Sequence, residues 1–257
     1  MMPASVTSDR ISIVLPSSLQ GPHTAGDFAK DGGRSDWCRL LVAVSELADS
    51  AWLERFWNEP DRLVEENVAL KRGNRCTVSL LEENCKQFVI KRYNLRSPRH
   101  TALHCWQTSR ARMAWIQGYR LMAAGVPAPQ PLAILEERRG PLRFRSYLIY
   151  EYLPGELLWH QIRDFPLSKE ETDRLVQAFG ILWRKLEAAR CYHGDLKGIN
   201  VVVGKKELSV IDLDATKFFR SERAFRRSQR RDAARFLQNW KDLPQLQRQF
   251  AQEMGFE

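Results

Sequence analysis

Residues 193 to 214 constrain what this chain can fold into more than any other stretch. His193-Gly-Asp195-Leu-Lys197-Gly-Ile-Asn200 runs straight into Val201-Val-Val203. Gly204-Lys-Lys-Glu207 then turns the chain into Leu208-Ser-Val-Ile-Asp212-Leu-Asp214. A β-branched run, a polar turn and a second apolar run read as a β-hairpin. The polar groups therefore stand on a loop before one strand and at the end of the next, held by a rigid scaffold. Their chemistry is that of phosphoryl transfer. Asp195 offers a carboxylate to orient an attacking hydroxyl, Lys197 a cation for the moving phosphoryl, and Asn200 and Asp212 oxygen ligands for Mg²⁺. Strand register favours Asp212 over Asp214 as the metal ligand, and His193 reads as a brace for the loop rather than a base. A helix cap, a turn asparagine and a solvated strand end explain these residues singly, but not the ordered string.

Upstream, Cys76 to Leu81 and Phe88 to Tyr93 read as paired strands around Glu82-Glu-Asn-Cys-Lys86. Alternation puts Val89, Lys91 and Tyr93 on one face and Phe88 and Ile90 on the other. A helix is expected from about Thr101 to Ala124, capped by Gly125 and stopped by Pro127. Leu132 to Glu137 and Arg145 to Tyr152 read as two more strands about an Arg139-Gly140-Pro141 turn. Ser168-Lys-Glu-Glu171 has capping-box spacing, and Leu175, Phe179, Leu182 and Leu186 recur behind it at helical intervals. A last helix is expected from about Ser221 to Trp240, burying Phe225, Phe236, Leu237 and Trp240. Trp37 to Trp57 shows a helical pattern through Leu40, Leu41, Val44, Leu47 and Ala51, closed by Pro60. Residues 1 to about 35 lack periodicity and are rich in Ser, Pro, Gly and Thr, which predicts a disordered tail.

These strings together resemble the kinase-like phosphotransferases, and within them the lipopolysaccharide kinase (Kdo/WaaP) family, over roughly residues 70 to 240. Beside the catalytic run, the resemblance rests on Val89-Ile-Lys91-Arg-Tyr93, Ser109-Arg-Ala-Arg-Met-Ala-Trp115, Ala124-Gly-Val-Pro127-Ala-Pro129-Gln-Pro131-Leu-Ala133 and Tyr147-Leu-Ile-Tyr-Glu-Tyr152. It implies an α+β, two-lobed protein-kinase-like fold, with a small antiparallel-sheet N-lobe and a mainly helical C-lobe. The kinase-like domain would span residues 36–257: N-lobe to about 150, hinge 151–155, C-lobe from about 156. It implies ATP as phosphoryl donor and a heptose or Kdo hydroxyl of the lipopolysaccharide inner core as acceptor. Lys91 would grip the α- and β-phosphates, and backbone groups of Glu151 and Leu153 the adenine edge. Asp195 and Lys197 would be catalytic, and Asn200 and Asp212 would hold Mg²⁺.

Two features depart from the kinase pattern. Lys71-Arg-Gly73-Asn-Arg-Cys-Thr-Val78 has one glycine where protein kinases use three. No Asp or Glu lies between Arg92 and Leu135, so the helix that should supply a glutamate partner for Lys91 has none; Ala114 and Gln117 stand in its neighbourhood. The alternatives are a small-molecule or RIO-like protein kinase, or a non-catalytic ATP-binding scaffold.

A length of 257 residues with 44% apolar content supports two lobes with real cores. No run approaches the roughly 18 apolar residues of a membrane span, and Ile11 to Leu15 is too short for a signal peptide. The expected place is the cytoplasm, peripheral to the inner face of the inner membrane. Cys38, Cys76, Cys85, Cys105 and Cys191 are odd in number and show no C-x-x-C, so they read as reduced thiols. The net charge of +9 is concentrated. Lys217, Arg220, Arg223, Arg226, Arg227, Arg230, Arg231 and Arg235 face only Glu222 and Asp232 in the same stretch, which draws anionic partners. A nucleic acid is not expected, since no recognised binding motif accompanies the arginines; an anionic glycolipid is.

Overall fold

A computed structural model describes residues 29–30, 37–43, 51–95, 105–139 and 142–256. The expected tail lies outside the described residues except for Ala29–Lys30. The chain divides into two compact units. One runs to Trp115 and adds Gln130–Tyr152; the other holds Ile116–Pro129 and Leu153–Glu257. The division after Tyr152 falls within the expected hinge segment.

In the first unit the described strands form one antiparallel sheet: β1 (Ala29–Lys30), β2 (Trp37–Ala43), β6 (Pro131–Arg139), β7 (Leu142–Glu151), β5 (Lys86–Tyr93), β4 (Cys76–Glu83) and β3 (Val68–Arg72), in that spatial order. The helix expected from Trp37 to Trp57 is corrected: Trp37–Ala43 is a strand, in seven-residue register with β6. A short continuous apolar run such as Leu40-Leu-Val42 fits strand or helix equally by period, and here an available sheet edge decides. Residues 44–50 lie outside the described residues; the described helices that follow are α1 (Ala51–Asn58) and α2 (Pro60–Glu65), the latter with its proline in the first turn.

These helices cover the sheet face opposite Lys91. Phe56 meets Tyr147 edge-on at 6.2 Å, and Trp52 lies 5.6 Å from Phe88. Asp61 accepts from Tyr147 Oη at 3.0 Å and Arg92 Nη1 at 2.9 Å, bolting α2 to two strands. The β4–β5 hairpin is tighter than expected. Asn84 and Cys85 both take positive φ, which closes a two-residue turn whose twist matches the strands.

Of the helix expected from Thr101 to Ala124, Thr101 to His104 lie outside the described residues, Cys105 to Ser109 are turn and loop, and α3 spans Arg110–Ala123. Ser109 Oγ accepts from Arg112 N–H at 3.0 Å and so caps it there. Gly125 ends it with φ +68, while Val126 N–H reaches back to the Leu121 carbonyl at 3.0 Å.

The second unit holds most of the helical residues among those described: α4 (Leu158–Arg163), α5 (Lys169–Ala188), α6 (Glu222–Gln238) and α7 (Pro244–Glu253). The capping box on α5 is complete: Ser168 Oγ accepts from Glu171 N–H at 3.2 Å, and Ser168 N–H donates to Glu171 Oε2 at 2.8 Å. Rings from three elements make its core. Phe179 stacks on Phe236 at 3.9 Å, and Phe250 meets both edge-on at 5.4 and 5.0 Å. Each contributes roughly 1.5–3 kcal/mol by burial, so α6 is fixed firmly against α5 and α7. Two small sheets complete the unit: β8 (Glu156–Leu157) with β10 (Val201–Val203) and β11 (Leu208–Val210), and β9 (Cys191–Tyr192) with β12 (Lys217–Phe218).

Candidate active site

The loop between β9 and β10 carries the catalytic run, and α6 holds it from behind. Asp232 is 3% exposed. Its carboxylate accepts from His193 N–H at 2.7 Å and Gly194 N–H at 3.0 Å. Burial pushes this carboxyl above the usual range, and the backbone donors of the loop pull against that shift. Gly194 needs to be glycine: its φ is +85, and a Cβ would stand 2.6 Å from the Ala215 carbonyl oxygen. The wholly buried His193 ring ties the loop to the segment just past β11. Its Nε2–H donates to the Ile211 carbonyl at 2.9 Å, leaving Nδ1 to accept from Asp195 N–H at 3.4 Å. A ring held at both nitrogens is a brace.

Two of the expected residues converge on a third, Asp195. Lys197 Nζ lies 2.8 Å from Asp195 Oδ1 and 3.1 Å from Oδ2. Asn200, in the one-turn helix Gly198–Asn200, donates its Nδ2 to the Asp195 carbonyl at 2.8 Å and stands 3.4 Å from Oδ2. That commits the amide nitrogen and turns the side-chain oxygen the other way, available to a cation. Asp212 comes alongside because Ile211 N–H donates to the Asn200 carbonyl at 3.0 Å. It takes φ +62, a left-handed conformation that aspartate tolerates better than most residues. Gly198 N–H is held by Asn239 Oδ1 at 2.8 Å, a second tie to the end of α6.

Such a loop has a general chemistry. It presents one carboxylate whose negative charge is partly compensated, a cation beside it, and two hard oxygen donors, Asn200 in the loop itself and Asp212 just past β11. A family model, that of the lipopolysaccharide kinase (Kdo/WaaP) family, matches residues 54–256. The chain belongs to that family. This Kdo/WaaP member is therefore a kinase, and the family's acceptor class is lipopolysaccharide.

A solved structure of WaaP in complex with acyl carrier protein is similar to the kinase, with a TM-score of 0.57. At 19% identity, over 79% of this chain and 86% of that one, the likeness shows the protein-kinase-like fold. In all, 1916 solved chains match, so the fold alone selects no acceptor. Among curated proteins nothing matches.

The remaining expected residues lie as follows. Lys91, on β5 in the first unit, is 6% exposed, its Nζ 5.1 Å from the centre of the Tyr93 ring. Glu151 ends β7. Its N–H goes to the Gln130 carbonyl at 3.0 Å, while the next N–H, of Tyr152, goes the opposite way to Gln87 at 3.2 Å. The Glu151 carbonyl thus faces the side away from β5. Leu153 opens the second unit. Gly73 sits in the turn between β3 and β4, where its N–H donates to the Cys76 carbonyl at 3.1 Å.

Three residues escaped the sequence reading: Asp232, Asn239 and Glu136. Asp232 had a signal, being one of two acids in the basic run. Glu136 is the first acid after the acid-free stretch and is 1% exposed. It shares a register row with Ser146 and Tyr93, on Lys91's face of the sheet. It bonds Ser109 and Arg138, tying the start of α3 to the sheet. Ala114 and Gln117, in the neighbourhood where the helix glutamate would stand, are both buried.

Proposed function

We propose that this kinase transfers the γ-phosphoryl group of ATP to a sugar hydroxyl, of a heptose or Kdo, in the lipopolysaccharide inner core. Asp195 orients the hydroxyl and takes its proton as the oxygen attacks. Lys197 offsets the negative charge on the phosphoryl in flight. Lys91 binds the α- and β-phosphates, and the Glu151 carbonyl with the Leu153 N–H binds the adenine edge. Most of the acceleration in such a reaction is positioning and electrostatics, which suits a loop tied at so many points.

Asn200 and Asp212 are the residues that would hold Mg²⁺. Among the described residues, no group of three or more His, Cys, Asp or Glu side chains could grip a metal alone. An amide oxygen and a carboxylate fit instead a small, hard cation that keeps waters and shares the nucleotide's phosphates. When bound, it would neutralise phosphate charge. The acceptor's lipid would place the enzyme at the cytoplasmic face of the inner membrane. Among the described residues, no helix is long and apolar enough to cross a membrane.

The observation that carries this reading is the Asp195–Lys197–Asn200 cluster held from behind by Asp232. Asp195→Asn tests it. Transfer should fall by about 10²-fold or more, with ATP affinity within a few-fold of wild type. Undiminished transfer by the purified variant would remove Asp195 from the chemistry.

A further inference from the structure

Helix α6 brings a second cation to the catalytic loop. Arg235 lies one turn beyond Asp232, and its Nη1 donates to the Gly194 carbonyl and stands 3.4 Å from Asp195 Oδ1. Lys197 already sits against both oxygens of that carboxylate. One negative charge therefore meets two positive ones, and Arg235 has no other carboxylate partner among the described residues. Both of its bonds leave from a single nitrogen. The Nε and Nη2 hydrogens make no bond among the described residues, and 43% of the side chain is exposed. A guanidinium fork with an open edge fits an oxyanion bidentately. One turn back, Arg231 is exposed and has no partner among the described residues, so the positive charge continues along the helix.

We propose that Arg235 determines acceptor specificity: its open edge binds an oxyanion on the acceptor, a carboxylate or a phosphate, close to the hydroxyl held at Asp195. The anion sits roughly 2.8 Å beyond the guanidinium. That puts it on the same sugar as the hydroxyl or on its neighbour. This deepens the reading of the acceptor given above and rests on it. A neutral sugar leaves the excess cation uncompensated and gains nothing from the fork, so the enzyme discriminates by charge at this one position.

The test uses acceptor pairs that differ in one charge: the methyl glycoside of Kdo against its primary amide, and a phosphorylated heptose against the unphosphorylated sugar. Transfer rates at low acceptor and saturating ATP are compared for wild type, Arg235→Gln and Arg235→Lys. Wild type should favour the charged member of one pair by about tenfold or more. The Gln variant should bring that ratio close to one, and Lys should keep part of it. The pair that responds identifies the anion as carboxylate or phosphate. A merely structural role would lower both members of a pair alike, and that result overturns the proposal, as does a wild type indifferent to charge. The same sugars are titrated by calorimetry. If wild type transfers to none of them, the acceptor reading fails, yet charge-selective binding lost in Arg235→Gln still upholds the role of Arg235. Charge-blind binding overturns it.

Discussion

At the scale of single residues, backbone conformation separates side chains that the sequence leaves equivalent. Asp212 and Asp214 lie two apart, and only Asp212 has the left-handed φ of +62, immediately after the Ile211–Asn200 bond. Replacing it with alanine would mix loss of charge with backbone strain, whereas asparagine tolerates that conformation. Asp212→Asn should therefore reduce the gain in nucleotide affinity that Mg²⁺ gives over EDTA, with little change in affinity in EDTA. An unchanged magnesium effect would exclude Asp212 and point to Asp214. Cys191 illustrates the opposite case, a residue near the catalytic loop in sequence that takes no part. It is buried and its thiol is pushed well up by that burial, which makes it a packing residue.

At the scale of elements, α6 holds the loop, and its grip is open to measurement through Asp232. A carboxyl whose folded value is raised contributes most to stability below the ordinary range near 3.9. That contribution falls as the pH rises through its raised folded value. Asp232→Asn should destabilise the fold by about 1–3 kcal/mol, because backbone donors of the loop lose acceptors. The difference from wild type in urea unfolding should shrink as the pH is raised from about 4 to 7. A difference that grows over that range would contradict the burial argument. The tie also shows which features a sequence reveals. The capping box at Ser168, the Gly125 cap and the strand pair about Lys91 were legible because each is encoded within a few residues. Asp232 reaches His193 across 39 positions, and no local pattern announces such a contact. The Trp37 run was misread because a short apolar segment becomes strand or helix according to the partner it finds, here the edge of β6. The start of α3 at Arg110 has a local signal in Ser109, whose hydroxyl caps it. Helix α7 was missed altogether; its apolar positions are few, and Phe250 is decisive only once the rings of α5 and α6 are in place.

At the scale of the whole molecule, the positive charge sorts into paired and unpaired arginines. Arg226 bonds Glu222 at 2.7 Å and also pairs with Glu187, so it belongs to the packing of α6. Arg223, Arg227, Arg230 and Arg231 are exposed and have no partner among the described residues. Reversing these four to glutamate should raise the KM for the lipopolysaccharide acceptor by about tenfold or more, with a smaller change for ATP. Wild-type acceptor binding should weaken with salt, since exposed charges are screened beyond ~8 Å at physiological ionic strength. An acceptor KM indifferent to both would make the arginines an ordinary solvated face. The central claim, a kinase loop acting on a core sugar, is tested most directly by transfer of labelled γ-phosphate from ATP to purified, dephosphorylated lipid A–core. The label should appear on a heptose or Kdo hydroxyl, require divalent metal, and vanish with Asp195→Asn. Label on another acceptor class, or none in any core sugar while ATP is consumed, would contradict it.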